Sequence, residues 1–452
     1  MVTSVVGEQR DSAKEACGVI AGNRWIQLIC GVVAMILISN YQYAFTLFTP
    51  GMRQTFAGVP YARIAAIFSA FILFETWPMP VAGYFVDKLG IRKLMTLGAI
   101  CIALGWVLGG TIARGPFDLY LYYGVIAGTG AGIIYISCVA NAVKWFPDRR
   151  GLAVGLTAAG FGGGAALTVL PIHATIDHLG WARAMAVWGV GQGSVALFTA
   201  MILRHPPANW APAGWDQRAG REGKAVVQSN LNFTWTQTLQ RPEFYFLYTM
   251  FFFACAGGLI ATASLSQIAR SLHVSDAKIL GMAIVPLTVT LTSLCNAASR
   301  IIWGSVSDRF GRERTMFLTF GIEALLVFLV TQIVGRPIAF LALFSFVFLF
   351  WGEIYSLFSA TTGDVFGAKY ASANYGMVYT AKGLASVFAG YGAAALAAYF
   401  GGSFAVPFYI AAVLCALAAI FSLFVLKPLV RSRIAEESAV KALLETVEPK
   451  AA

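Results

Sequence analysis

Long runs of apolar residues, separated by short charged or Gly- and Pro-containing turns, dominate the chain. A run of about 20 apolar residues is what a helix needs to cross the hydrocarbon core of a bilayer. The pattern predicts twelve such helices, near residues 24–48, 61–86, 94–112, 117–143, 150–176, 181–203, 241–268, 277–306, 314–334, 337–361, 371–399 and 402–427. The predicted fold class is therefore an all-α membrane protein.

One long polar interval divides this series of helices into two sets of six. Residues 204–240 carry several prolines and basic residues but no spanning apolar run. The interval is predicted to be a cytoplasmic linker between an amino-terminal bundle, 24–203, and a carboxy-terminal bundle, 241–427. Residues 1–23 are predicted to be a cytoplasmic amino-terminal segment without the pattern of a signal peptide. Residues 428–452 are predicted to be a solvated cytoplasmic tail.

Composition excludes a water-soluble globule and sets the orientation. The 452 residues are 58% hydrophobic and 12% charged, with mean hydropathy +0.72. A net charge of +11 would suggest a nucleic-acid partner in a soluble protein, but here the Lys and Arg residues lie mostly in short loops, where they orient the helices. With a cytoplasmic amino terminus, the cytoplasmic segments hold 23 of them and the external segments 7. Both ends are therefore predicted to be cytoplasmic, and no nucleic-acid partner is expected.

The residue types that carry enzyme chemistry do not form recognisable patterns. The four histidines, His173, His178, His205 and His273, lack metal-ligand spacing, and no nucleophile motif is present. The seven cysteines lie mostly inside apolar runs and form no CxxC pair, so they are interpreted as small core residues. We expect neither an enzyme nor a metal or cofactor site.

An internal repeat appears in the loops. The stretch Gly83 to Lys93, GYFVDKLGIRK, recurs 221 positions later as Gly304 to Arg312, GSVSDRFGR. Glycines permit a tight turn, the aspartate can cap the next helix, and the basic residues face the anionic inner leaflet. Two copies in equivalent places indicate duplication of a six-helix unit, with a substrate site between the halves.

This turn resembles the loops after the second and eighth helices of the major facilitator superfamily. The resemblance implies twelve helices in two pseudo-symmetric bundles that rock about a central site. It also implies that the turn holds the outward-open state through contacts that break during rocking. The conformational residues would then be Asp87, Arg92, Asp308 and Arg312.

Two cations lie inside predicted helices. Arg300 precedes Asp308 by eight residues and Lys382 follows Asn374 by eight, so each lies roughly 12 Å from a helix end and close to the bilayer midplane. A charge at this depth is costly and marks a functional site by default. An arginine fork and a mobile ammonium at one level would suit the two carboxylates of a small dicarboxylate.

The alternative is internal ion pairing, because Glu75, Glu323 and Glu353 also lie in apolar spans. For the two cations we favour substrate binding. For the three glutamates we favour a structural role. Glu353 is predicted to point away from Trp351 and Tyr355, which lie four residues apart on one helix face.

Aromatic and amide residues are predicted at the depth of the cations or just outside it. Tyr135 and Tyr355 lie roughly 13 Å into their helices, where phenolic rings could bound a small planar anion. Gln42 and Tyr43 follow Arg24 by 18 or more residues and are predicted to line the outer part of the cavity.

A narrower resemblance rests on four stretches, which begin at Asn40 (NYQYAFTLF), Trp145 (WFPDRRGLAVGLTAAG), Trp351 (WGEIYSLF) and Asn374 (NYGMVYTAK). They are similar to the bacterial oxalate:formate antiporter family, itself related to the monocarboxylate transporters. The resemblance implies exchange of external oxalate for internal formate, with Arg300 and Lys382 as essential cations. The cavity lining that it implies is Gln42, Tyr43, Tyr135, Trp351 and Tyr355.

The chain departs from that family at three positions. Phe161 replaces a tyrosine, and Glu75 and Glu353 replace uncharged residues. An added carboxylate would lower the positive field and favour a monocarboxylate, or would carry a proton. Two alternatives therefore stay open: a proton-coupled monocarboxylate symporter of the lactate or pyruvate type, using Glu75 or Glu353, and, more distantly, a membrane sensor without transport. The predicted partners are a small carboxylate and the bilayer, with a monomer in a bacterial inner membrane.

Overall fold

The computed structural model describes residues 23–147, 149–207, 212, 229, 231–367, 370–435 and 437. The predictions for residues 1–22, for most of the linker and for 438–452 lie outside the described residues. At positions 87, 150, 151 and 372 the structure describes the main chain alone.

Twelve helices of the described chain are long and apolar enough to cross a membrane, which confirms the predicted fold class. We label these spanning helices α1 to α12. Their bounds are Arg24–Thr55, Tyr61–Val86, Ile91–Thr111, Pro116–Trp145, Leu152–Leu179, Trp181–Ile202, Pro242–Ser271, Ile284–Phe310, Arg312–Gln332, Pro337–Phe366, Ala373–Tyr399 and Ala405–Ala435. Because twelve spans return the chain to its starting side, α1 begins and α12 ends at one face, here called the terminal face; the other is the opposite face.

The helices pack as two halves that meet through symmetry-related contacts. Within the first half, α3 packs on α6 and α1 on α5; within the second, α9 packs on α12 and α8 on α10. Between the halves, α5 packs on α8 and α2 packs on α11. An offset of six helices converts one contact into the other, as a duplicated unit requires.

Breaks in two helices shape the centre of the protein. The first helix is interrupted at Ala44, between Arg24–Tyr43 and Phe45–Thr55. The tenth is interrupted between Pro337–Trp351 and Ile354–Phe366. A Cβ on Gly352 would lie 2.6 Å from the main-chain oxygen of Asn296 in α8, so only glycine allows this approach. The break therefore presses α10 against α8 close to Arg300.

Several predicted boundaries differ from the structure. The first span, predicted to end at residue 48, continues to Thr55, and the tenth, predicted to end at residue 361, continues to Phe366. The eighth span was expected from residue 277 but begins at Ile284, after a hairpin of β1, Lys278–Ile279, and β2, Met282–Ala283. The hairpin turns through Leu280 and Gly281, whose φ values of 53° and 78° are left-handed and end any helix there.

Two further differences lie beside the linker and in the tail. A short helix, Trp235–Leu239, occupies the end of the predicted linker. The last spanning helix continues through the predicted tail boundary to Ala435. Arg433 contacts Glu243 at 3.1 Å, which ties this extension to the start of α7. A prediction from apolar runs ends a helix at its first charged residues, so it places the end of α12 too early.

Close packing of α3 against α6 depends on small residues, and two glycines of α6 offer a matched test. A Cβ on Gly193 would collide with Ala103 of α3, whereas a Cβ on Gly191 would meet nothing within 4 Å. We expect Gly193→Leu to destabilise the protein by about 1–3 kcal/mol, the usual cost of overpacking. Thermal unfolding in detergent should show a lower midpoint for this variant and little change for Gly191→Leu. Equal midpoints for both variants would contradict the packing.

Candidate functional site

Lys382 of α11 is buried at the centre of the protein and forms an ion pair across the two halves. Its Nζ lies 2.9 Å from Oε2 of Glu75 in α2, and both side chains have an exposed fraction of 0%. The ammonium also donates to Oε1 of Gln42 in α1 at 2.8 Å and to the hydroxyl of Tyr379, one turn earlier in α11, at 3.3 Å. All three donors of the ammonium are thus used.

Arg300 of α8 is buried as deeply but has no ion pair within the described residues. Its Nε donates to Oδ1 of Asn296 at 3.1 Å, and its Nη1 donates to the main-chain oxygen of Ala158 in α5 at 2.8 Å. Its Nη2 has no hydrogen-bond partner among the described residues. Arg300 therefore keeps an uncompensated charge and a free donor in the interior.

Aromatic rings surround both cations. The guanidinium carbon of Arg300 lies 4.4 Å from the ring centroid of Tyr355, and Nζ of Lys382 lies 5.5 Å from the same centroid. Phe161 of α5 also lies close to both, at 5.9 Å from Arg300 and 5.3 Å from Lys382. Ring faces attract cations and replace part of the lost hydration. The shared rings show that the two cations lie in one chamber.

The remaining predicted lining residues also lie in this chamber. Tyr135 stacks on Tyr379 with a centroid distance of 5.5 Å, and Trp351 meets Tyr355 edge-on at 5.4 Å. Tyr43 accepts a hydrogen bond from Nδ2 of Asn296 at 2.9 Å. The structure therefore brings together all seven residues that the sequence proposed for a substrate site, although it does not test their roles.

The internal ion pairing that the sequence analysis gave as the alternative for the cations is present at Lys382, which Glu75 neutralises. The physical reason is the cost of leaving an ammonium buried without a counter-charge. The structural pairing that we favoured for Glu75 is present. Sequence reasoning also missed Asn296 and Tyr379, which hold the cations. Their spacing of four and three residues from Arg300 and Lys382 could have identified them as neighbours on the same helix face.

The other two buried glutamates lie apart from the cations. Oε2 of Glu353 accepts a hydrogen bond from the hydroxyl of Ser299 at 3.2 Å. Both carboxyl oxygens of Glu323 lack a hydrogen-bond partner within the described residues. Neither carboxylate pairs with a cation in the described part of the chain. The helical spacing from which the direction of Glu353 was predicted does not apply here, because α10 is interrupted between Trp351 and Ile354.

Contacts between the halves close the chamber toward the opposite face. The hydroxyl of Thr46 in α1 donates to the hydroxyl of Ser266 in α7 at 3.0 Å. Nearby, Arg53 donates to Gln267 at 2.6 Å, and Tyr61 of α2 donates to Ser264 at 3.0 Å. Within the chamber, the exposed fraction of Arg300 is 2% and that of Tyr135 is 4%. The described conformation is therefore closed around its centre.

A small cavity lies between the chamber and these contacts. It is bounded by side chains of α1, α7, α8 and α10, among them Tyr43, Thr46, Thr262, Leu265, Thr292 and Phe348. Because Tyr43 borders both spaces, the cavity continues the chamber toward the opposite face.

The four predicted conformational residues lie near the terminal face, away from the chamber. Arg312 pairs with Asp308 at 2.7 Å and with Asp364 of α10 at 3.0 Å, all within the second half. Arg92 donates to the main-chain oxygen of Met201 within the first half. The side chain of Asp87 lies outside what the structure describes. The contacts given for Arg92, Asp308 and Arg312 each stay inside one half.

The chamber has the composition of an anion site. Two cations and one carboxylate leave one net positive charge. Among the described residues, Nη2 of Arg300, the hydroxyl of Tyr355 and Nε2 of Gln42 remain as free donors. A central, closed, polar chamber between two six-helix halves defines the class of secondary membrane carriers.

Comparisons with known proteins place the chain within this class. The sequence model of the Major Facilitator Superfamily matches residues 27–288 and 251–449. The chain belongs to this superfamily and is a multi-pass secondary transporter. An oxalate:formate antiporter from Oxalobacter formigenes is 34% identical over 386 residues, which are 84% of this chain and 87% of that protein.

Two further comparisons are more distant. Human monocarboxylate transporter 14 is 34% identical over 118 residues, which are 26% of this chain and 22% of that protein. The crystal structure of a D-xylose-proton symporter superposes with a TM-score of 0.66 at 12% identity, covering 88% of this chain and 96% of that chain. The last likeness shows the fold alone.

Two glycines of α5 test whether the position of Arg300 matters for transport. A Cβ on Gly162 would lie 2.9 Å from Nε of Arg300 and from Oδ1 of Asn296, whereas a Cβ on Gly155 would meet nothing within 4 Å. We expect Gly162→Leu to displace the guanidinium and to lower the transport rate at least tenfold, a barrier change of about 1.4 kcal/mol. Gly155→Leu is the matched control. The measurement is transport by purified protein in liposomes, corrected for the amount inserted. Equal activity of the two variants would contradict the role of this contact.

Proposed function

We propose that the protein exchanges small carboxylates across a membrane by alternating access, with oxalate and formate as the substrate pair. The observation that carries this proposal is the buried Arg300, whose charge has no counter-ion and whose Nη2 has no partner within the described residues. A charge in such a position is stable only when something compensates it. A guest carboxylate supplies that compensation.

The choice of substrates rests on the relative from Oxalobacter formigenes, whose name gives oxalate and formate. Arg300 and Lys382 are the proposed anion-binding cations. The proposed lining is Gln42, Tyr43, Tyr135, Trp351 and Tyr355. A planar two-carboxylate guest suits a chamber whose walls are flat rings, because ring faces and edges can enclose it without large voids.

Exchange follows from electrostatics. The empty chamber carries uncompensated positive charge, which resists desolvation and movement through the low-dielectric centre. A bound anion removes this charge and lowers the barrier to rocking of the two halves. The interfaces α2 with α11 and α5 with α8 are the proposed pivots, and Asp87, Arg92, Asp308 and Arg312 are proposed to control the rocking.

We also propose the sidedness and assembly. The excess of basic residues on the terminal face, 23 against 7, supports a cytoplasmic terminal face by the positive-inside rule. The closed opposite face is then external. A monomer in a bacterial inner membrane is the proposed working form, with residues 204–240 as the linker between bundles 24–203 and 241–427.

A second candidate function is proton-coupled uptake of a monocarboxylate. The observation that favours it is the ion pair of Glu75 with Lys382, because one net positive charge balances one carboxylate. Counterflow decides between the two candidates. Liposomes preloaded with formate should accumulate labelled oxalate, whereas buffer-loaded liposomes should not. Accumulation of a labelled monocarboxylate driven by external acid, without internal formate, would instead support the second candidate.

Neutralising either cation should abolish exchange. We expect Arg300→Gln and Lys382→Gln to lower oxalate:formate exchange by at least a hundredfold, since a charge-assisted bond is worth about 1.5–3 kcal/mol and each change also alters the buried charge. Arg336→Gln and Lys278→Gln, on exposed side chains, are the matched controls.

The second cation needs one further control. Lys382→Gln leaves the carboxylate of Glu75 buried without its partner, which by itself would destabilise the protein. The double variant Glu75→Gln, Lys382→Gln removes both charges and should recover stability without recovering transport. Full exchange by Arg300→Gln or by the double variant would overturn the site assignment.

A further inference from the structure

The carboxylate of Glu75 holds the place where a guest carboxylate would bind Lys382. It reaches the ammonium from the other half of the protein, at 2.9 Å and without exposure to solvent. Only one of its oxygens is used, since Oε1 has no hydrogen-bond partner among the described residues. The ammonium would remain anchored without it, because Gln42 accepts from Nζ at 2.8 Å.

Within the described residues, the charged and titratable groups around Glu75 are cations and phenols, and the thiol of Cys255 in α7 interacts with its partner Lys382. The groups that interact electrostatically with it come from five helices: Lys382 and Tyr379 from α11, Arg300 from α8, Tyr43 from α1, Tyr135 from α4 and Tyr355 from α10. Glu75 is therefore the one carboxylate facing the chamber within the described residues, and a proton bound to it raises the chamber's charge by one.

The charge balance differs between the two proposed substrates. With Glu75 ionised, the chamber carries one net positive charge, which a formate anion cancels. An oxalate dianion would leave one negative charge and would have to share Lys382 with a like-charged carboxylate. If Glu75 binds one proton, the chamber carries two positive charges, the dianion cancels both, and Lys382 is released for its second carboxylate.

We propose that Glu75 couples one proton to the divalent substrate. In one direction an oxalate dianion moves together with a proton taken from that side by the carboxylate of Glu75. After oxalate and the proton leave, Glu75 returns to Lys382, and formate moves in the other direction without a proton. Each direction carries one net negative charge, so the exchange is electroneutral. The inference rests on the proposed oxalate:formate exchange and adds that one proton moves with each oxalate.

The test measures the charge and the protons moved during exchange. Wild-type protein in formate-loaded liposomes should accumulate oxalate to the same final ratio with or without an imposed membrane potential. An enclosed pH dye should report acidification during oxalate entry. An inside-alkaline gradient of about one pH unit should raise the final ratio about tenfold, because one proton moves with each oxalate.

Glu75→Gln removes the proton site but keeps the shape and a hydrogen-bond acceptor for Lys382. Its exchange should move one net charge, so about 100 mV, inside negative, should lower its final oxalate ratio about 50-fold, and internal acidification should disappear. Glu323→Gln removes a buried carboxyl that does not contact Lys382 and is the matched control. It should behave as the wild type does.

The outcomes separate the inference from the proposed function. Oxalate:formate exchange by the wild type that responds to potential as one moved charge, without acidification, overturns the inference and leaves the function standing. A wild type that does not exchange oxalate for formate overturns the function and the inference together. Because the wild type alone gives both results, the test stands even if Glu75→Gln fails to insert.

Discussion

Compensation of two buried positive charges is the constraint on which the centre of this protein depends. Hydration cannot reach Arg300 or Lys382 in the described conformation, so every partner must come from the chain or from a guest. The ammonium of Lys382 donates hydrogen bonds to Glu75, Gln42 and Tyr379, which use all three of its donors. Arg300 receives an amide, a main-chain oxygen and a ring face, but no counter-charge within the described residues. Because Lys382 has a counter-charge and Arg300 has none within the described residues, the chamber attracts an anion to Arg300.

The duplicated architecture places each cation on one of the two proposed pivots. Arg300 lies on α8 where it packs on α5, and Lys382 lies on α11 where it packs on α2. Each is also held across that interface, Arg300 by Ala158 and Lys382 by Glu75. A guest that binds both cations therefore changes the contacts at both pivots at once. In this way, local charge compensation is connected to the relative movement of the halves.

Periodicity and composition predicted the membrane class and the twelve spans, because bilayer thickness constrains the length of apolar runs directly. Periodicity and composition failed where contacts between helices determine the side-chain pairing or the end of a helix. The pairing of Lys382 with Glu75 depends on how α11 meets α2, which no local spacing encodes. The turn at Leu280 and Gly281 lies inside an apolar run, and the close approach of α8 at Gly352 is a contact between helices that the local sequence does not show.

The central claim is that a carboxylate guest completes the coordination of Arg300 between the halves. The most direct measurement is an experimental structure of the protein determined with oxalate present. The account predicts an oxalate oxygen within hydrogen-bond distance of the Arg300 guanidinium. The rings of Tyr355 and Phe161 should enclose this oxalate, and no second anion should be bound there. Oxalate bound elsewhere, or an Arg300 that contacts only Asn296 and Ala158 in the saturated protein, would contradict it.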